Sequence, residues 1–200
     1  MIHAPSNIIG MLKIFDPTTG EVFVDKKNAI HYENISWAMA HTLADRPVGA
    51  IYSMAFGNGG SSVDPTGIIT YLPPNTVGQN ANLYNQTYSK VVNDNEATNT
   101  DTANNFMTVT HITGKVYSDI IVTCLLDYGE PSGQQAFDNA TDYNGEFVFD
   151  ELGLKCWNGS AADLRLITHV IFHPVQKSLN RQIQIDYTLR IQALTNLSAA

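Results

Sequence analysis

Residues Ile183 to Ile191 read IQIDYTLRI, and this short run limits the fold more than any other. Ile183, Ile185, Tyr187, Leu189 and Ile191 alternate with Gln184, Asp186, Thr188 and Arg190. Successive side chains of a strand point to opposite faces, so a strict period of two places one face in a core and the other in water. The run LRLITHVIFH precedes it, joined through PVQKSLNR. Together they read as a strand pair on a half-buried antiparallel sheet.

The same signal recurs along the chain. GMLKIFDPTTGEVFVD reads as a hairpin, with turn-forming residues from Asp16 to Gly20. GAIYSMAF and GIITYL are strands on either side of FGNGGSSVDPTG. FMTVTHITGKVYSDIIVTCLLDY is one long strand, or two around Gly114. In it Val116, Ser118, Ile120, Val122, Cys124 and Leu126 share a face, while Tyr117, Ile121 and Leu125 make the other face apolar too. That predicts burial on both sides. YNGEFVFDELGL opens on Asn144-Gly145, a tight-turn pair.

One segment has helical spacing. In NAIHYENISWAMAHTLADRP, Tyr32, Ile35, Met39 and Leu43 form an apolar stripe that predicts docking on a sheet. Asn28 is the expected cap and Arg46-Pro47 the expected stop. The predicted class is therefore mainly β: an antiparallel β-sandwich of jelly-roll or immunoglobulin-like type, with one packed α-helix near residues 29–45 and long irregular loops. Residues 1–7 read as an N-terminal arm and 8–200 as a single domain. A chain of 200 residues buries roughly 70 % of its unfolded surface, enough for a core without staples. Residues 73–105, rich in amides and turn formers, read as a long loop insertion.

Charge narrows the function. Only 15 % of residues are charged, against about 25 % in ordinary domains, and Asn, Thr, Gln and Ser take their place. Such a composition suits strands, turns and packed subunit interfaces. There are 11 Lys and Arg against 19 Asp and Glu, and the one adjacent basic pair is Lys26-Lys27. Without a basic face no direct nucleic-acid role is expected. No run approaches a membrane span, and the start MIHAPSNIIGMLKIF lacks the pattern of a signal peptide, so no membrane role is expected. Cys124 and Cys156 are expected to be free thiols in a reducing compartment. The sequons at Asn34, Asn85, Asn139, Asn158 and Asn196 are then products of composition.

No motif for chemistry outweighs a plain structural explanation. FGNGGSSVDPTG has no Gly-Lys-Ser/Thr, no following helix and no dinucleotide spacing. It reads as a strand connection whose glycines supply positive φ, presented to another subunit. His169 and His173 are four apart on a strand, roughly 13 Å, too far to share a metal. NDNEATNTDT resembles a calcium loop but lacks its glycine and closing glutamate, and reads as a solvated loop of Asx turns. Asp150 and Glu151 are neighbours on a strand and should point to opposite faces, although convergence with Asp127 in the fold stays open. No catalytic residue, cofactor or metal is expected, and the chain is not expected to be an enzyme.

GEFVFDELGLKCW followed by LRLITHVIFHPVQKSLNRQIQIDYTLRIQAL resembles a module in virion proteins of tailed bacteriophages. The matching residues are Phe149, Glu151, Gly153, Leu154, Leu166, Thr168, His169, Phe172, Pro174, Asn180, Arg181, Tyr187, Thr188 and Leu189. KIFDPTTGEVFVDKKNAIHYENISWAMAHTLA, FGNGG and YLPPN are similar to myophage virion proteins. The resemblance implies a non-catalytic subunit of a homo-oligomeric ring in the neck or collar, at the head-to-tail junction. Its partners would be copies of itself and neck, portal or tail proteins, in a virion assembled in the host cytoplasm. Capsid decoration and baseplate or fibre attachment are the alternatives the resemblance leaves. A carbohydrate-binding sandwich, using Tyr84, Tyr88 or Trp157 as a platform, is the contrasting reading. The expected subunit-interface loop comprises Phe56, Gly57, Asn58, Gly59, Gly60, Leu72, Pro73, Pro74 and Asn75.

Overall fold

The structure, a computed structural model, describes residues 6–132 and 147–193. Residues 1–5 of the expected arm and the Asn144-Gly145 turn lie outside them. Ser6 and Asn7, read as arm, instead open the first strand.

In chain order the elements are β1 (Ser6–Phe15), β2 (Val22–Lys27), β3 (Ala29–Ile30), α1 (Tyr32–Leu43), β4 (Ile51–Gly57), β5 (Ser61–Val63) and β6 (Ile69–Tyr71). Then follow β7 (Gln86–Val91), β8 (Phe106–His111), β9 (Tyr117–Leu126), β10 (Val148–Ser160), β11 (Asp163–Leu166), β12 (Thr168–Gln176) and β13 (Ile183–Ala193). One antiparallel sheet has the order β2-β1-β13-β9-β8; the other runs β3-β12-β10-β4-β7, with β11 beside β10. Among the described residues, β5 and β6 pair only with each other.

The alternation in β13 does what it predicts. Ile183, Ile185, Tyr187 and Leu189 are buried, while the polar residues between them are half-buried. They share one core with Leu12, Ile14, Cys124 and Leu126 of their own sheet and with Met54, Phe56, Phe149, Leu152 and Phe172 of the other. Two sheets closing on a single apolar core make the sandwich, because each has one face to remove from water.

Gly114, at φ 86°, separates β8 and β9 as two paired strands, the second of the two alternatives read from the sequence. Four expectations change. β9 buries only the Val122, Cys124 and Leu126 side; its other face is half-exposed, with no layer of the described residues over it. The helix is shorter at its start, since Ala29 and Ile30 pair with β12 as β3. Its cap is His31, whose ring accepts from the Asn34 N–H at 3.2 Å, while the Asn28 amide is drawn off to the Tyr187 hydroxyl. Its buried face is Asn34, Ile35 and Ala38; Tyr32 and Leu43, at the two ends of the expected stripe, are 65 % and 84 % exposed.

The irregular segment 73–105 contains β7, which pairs with β4 from Ser53–Val91 to Phe56–Tyr88. Its amides are not simply solvated. The buried Asn99 donates to the Asn93 and Asn105 carbonyls, and Asn105 accepts from the Leu125 N–H at 3.1 Å, tying the loop to β9. Buried backbone groups need partners, and short amide side chains supply them here.

Candidate functional site

β10 and β12 diverge where the sequence places its paired carboxylates. Phe149 pairs with Val175 and Glu151 with Ile171, so Asp150 alone faces Phe172, His173 and Pro174. Pro174 has no N–H for a ladder and fits such a bulge. The bulge lies beside the place where β4 ends, at the Glu151–Gly57 pair, and the chain turns away towards β5.

Both carboxylates grip that turn. Glu151 Oε1 accepts from the Gly59 N–H at 3.1 Å and the Asn85 N–H at 2.7 Å. Its Oε2 accepts from the Tyr84 N–H at 2.9 Å and from His169 Nε2 at 3.0 Å. Asp150 Oδ1 accepts from the Gly60 N–H at 2.9 Å, and its Oδ2 from the Ser61 N–H at 2.7 Å and hydroxyl at 2.6 Å. The expectation that adjacent carboxylates serve opposite sides therefore fails here: the turn wraps across the end of β10 and offers donors to both. Asp127 is not with them; it pairs with Gln182 in an exposed turn.

His169 completes the arrangement. Its Nδ1 accepts from the Asn75 N–H at 2.7 Å, so the ring proton sits on Nε2 and is donated to Glu151. Tyr84 lies against the His169 ring, 5.7 Å between centroids, and its hydroxyl donates to the Pro73 carbonyl. Three buried side chains thus fasten three connecting segments, 57–61, 72–75 and 82–85.

Electrostatics follow from that packing. Burial alone would raise Glu151, but the His169 ring and three backbone N–H groups outweigh it and hold the carboxyl below its ordinary value. Burial dominates at Asp150, whose carboxyl lies above its ordinary value despite the Ser61 and Gly60 hydrogen bonds. Asp150, Glu151 and His169 are all buried, so none of them reaches a solute. The arrangement is a clamp on the backbone.

The glycines are needed for room and not for conformation. Gly57, Gly59 and Gly60 do not adopt positive φ, contrary to the sequence reading; in this stretch only Gly67 does, at 87°. A Cβ on Gly57 would lie 2.4 Å from the Asn85 carbonyl oxygen, and one on Gly59 2.7 Å from the Asn85 nitrogen. The backbone passes so close to the clamp that a methyl group has no space.

What the clamp holds out is a short hairpin. β5 and β6 pair from Ser61–Tyr71 to Val63–Ile69, with a turn organised by Asp64, whose Oδ1 accepts from the Thr66 and Ile68 N–H groups. Val63, Ile68, Tyr71 and Leu72 are exposed on or beside it. The sequence reading treated this turn as part of the glycine loop and missed the arm. Its signal was present, an Asp-Pro-Thr-Gly turn between β-branched runs.

The expected interface loop is divided by the fold. Phe56, Gly57 and Gly60 are buried within the subunit; Asn58, Gly59 and Asn75 are half-buried; Leu72, Pro73 and Pro74 are exposed. Of the aromatics considered for a sugar platform, Tyr88 packs on Phe56 and Trp157 on Tyr52, both half-buried, and only Tyr84 is exposed. His173, unlike His169, is exposed and meets the Tyr71 hydroxyl at 3.2 Å. Cys124 and Cys156 are free and buried, and burial pushes their thiols up to about 12 and about 11, away from thiolate chemistry. Among the described residues, no three His, Cys, Asp or Glu side chains gather as metal ligands, and no helix is long and apolar enough to cross a membrane. No family model matches the chain, and neither a curated protein nor a solved structure matches it.

Proposed function

We propose that the chain is a non-enzymatic structural subunit of a tailed-phage particle, assembling with its own copies into a ring at the neck or collar. The observation that carries the oligomeric part is the clamped β5–β6 arm. A two-stranded hairpin that joins neither sheet cannot bury its own apolar side chains. Here it is fixed at its base by Asp150, Glu151 and His169 while Val63, Ile68 and Leu72 stay uncovered. A rigid base with an uncovered apolar tip suits packing against a neighbour, and a head-to-tail contact between identical chains closes into a ring when the rotation between neighbours completes a full turn. The placement in a phage neck rests on the resemblance of the Phe149–Leu154 and Leu166–Leu189 motifs to virion proteins.

The test is sedimentation velocity with electron microscopy on the full chain and on Ile68→Asp. Ile68 is 64 % exposed, so its replacement leaves the subunit fold intact. The expected result is a ring of about six or twelve wild-type copies and a variant of unchanged melting temperature that fails to close it. A wild-type chain that stays monomeric at every concentration would overturn the reading.

A further inference from the structure

We propose that the groove between the arm and β12 seats an extended, acidic segment of a second copy of this chain. The inference rests on the ring-subunit reading and names one of its contacts. The groove, about 480 Å³, has Val170 to His173 as its floor, Lys26 and Lys27 on one wall and Tyr71 and Leu72 on the other.

The floor is the part of β12 past β3, which pairs with it only at Thr168 and His169. Beyond that pair no described strand hydrogen-bonds along this edge, and Lys26 Nζ donates to the Ile171 carbonyl at 2.6 Å. Val170, Ile171 and Phe172 are themselves buried, so an occupant meets the side chains at the rim, and those side chains choose which chain.

The flanking charge makes that choice. The ion pairs among the described residues are Lys90–Glu130 and Arg190–Asp119, and Glu151 is taken by the neutral His169 ring, so neither Lys26 nor Lys27 meets a carboxylate. This is the single adjacent basic pair of a chain whose net charge is −8. Copies of so acidic a chain repel one another unless an acidic surface of one meets a basic patch of the next. The basic walls fit carboxylates, and exposed Tyr71 and Leu72 cover an apolar side chain between them. Because the groove and its occupant are different surfaces, the contact is heterologous, as ring closure requires. The groove is also continuous with the arm, since Tyr71 and Leu72 belong to both.

The experiment treats a mixture of unlabelled and nitrogen-15-labelled full-length chains with a zero-length carbodiimide, which couples lysine amines to carboxylates in contact, and maps the linked peptides. The same preparation is titrated for assembly beside Lys27→Glu, an exposed position that leaves the fold intact. Expected are links from Lys26 or Lys27 to an Asp or Glu carrying the other label, and about a tenfold rise in the concentration needed for half-assembly of the variant. Raised salt should weaken the wild type in the same sense. Assembled wild type with no such link, and a variant that assembles equally well, would overturn the inference and leave the ring reading standing. The lysines would then serve only to guard the edge. Wild type that never assembles removes the ring reading itself, and this contact with it.

Discussion

His169 Nε2 lies 3.0 Å from Glu151 Oε2, and both side chains are fully closed to solvent. The pair joins neighbouring strands β10 and β12, 18 residues apart in sequence. Its remaining hydrogen-bonding capacity goes to backbone N–H groups of Gly59, Tyr84, Asn85 and Asn75. A buried carboxylate costs stability unless its oxygens are satisfied, and here four donors satisfy it. The pair therefore fixes the arm that the proposed assembly uses.

Replacing Glu151 by Gln should destabilise the fold by about 2–4 kcal/mol, a fall in melting temperature of roughly 5–15 °C, because one amide NH₂ must face donors. The pH dependence tests the cause. The folded value of Glu151 lies below its unfolded value, so its contribution is complete above the ordinary carboxylate range and is lost as pH falls through the lower folded value. Asp150, raised by burial, has the opposite slope. The wild-type minus Glu151→Gln difference in denaturant midpoint should therefore shrink in acid. A difference that does not change between neutral pH and acid would contradict this account.

The glycines should rank by space. Gly57→Ala puts a Cβ 2.4 Å from the Asn85 carbonyl and 2.5 Å from Glu151 Oε1, and should cost about 3 kcal/mol. Gly60→Ala meets the Ile171 side chain at 3.0 Å and Glu151 Cβ at 3.2 Å, contacts that a shift of a few tenths of an ångström relieves, so its cost should be smaller. Gly67→Ala meets nothing but stands at φ 87°, a strain of about 1 kcal/mol. Chemical denaturation of the three variants checks the order; equal costs at Gly57 and Gly67 would refute the close-approach argument.

Lys177 gives a test at high pH. It is buried, its ammonium donates to the Ser178 carbonyl at 2.9 Å, and burial lowers its pKa from 10.5 to about 8. Between those two values the unfolded chain holds a proton that the folded chain has released, so the Lys177 contribution to stability should rise with pH across this window. The buried Cys124 and Cys156 thiols have the opposite slope, so the test is the difference between wild type and Lys177→Met, in which they cancel. That difference should move in favour of the wild type by about 1–2 kcal/mol from pH about 7.5 to about 9.5. A difference that is flat or falling over the window would contradict the assignment.

The sequence by itself determined what depends on neighbours a few residues apart. The period of two in Ile183–Ile191 built β13 with the expected face inward, and the Asp16–Gly20 turn joins β1 to β2 as its residues require. Helical spacing located α1 and the Ile35 and Met39 centre of its inward stripe, but not the exposure of Tyr32 and Leu43 or the burial of Asn34, because the facing residues of other strands decide how far the covered side extends. β7 escaped notice for a similar reason: its half-exposed residues carry little alternation, and pairing with β4 makes it a strand. The clamp lay wholly beyond local reading. Glu151 meets Gly59 across 92 residues and His169 meets Asn75 across 94. The bulge that lets Asp150 and Glu151 serve one turn appears only once β10 and β12 are in register. Periodicity sets which face of a strand is apolar. Which strands lie side by side, and so which carboxylate meets which backbone N–H, is decided by closing the two sheets on their common core.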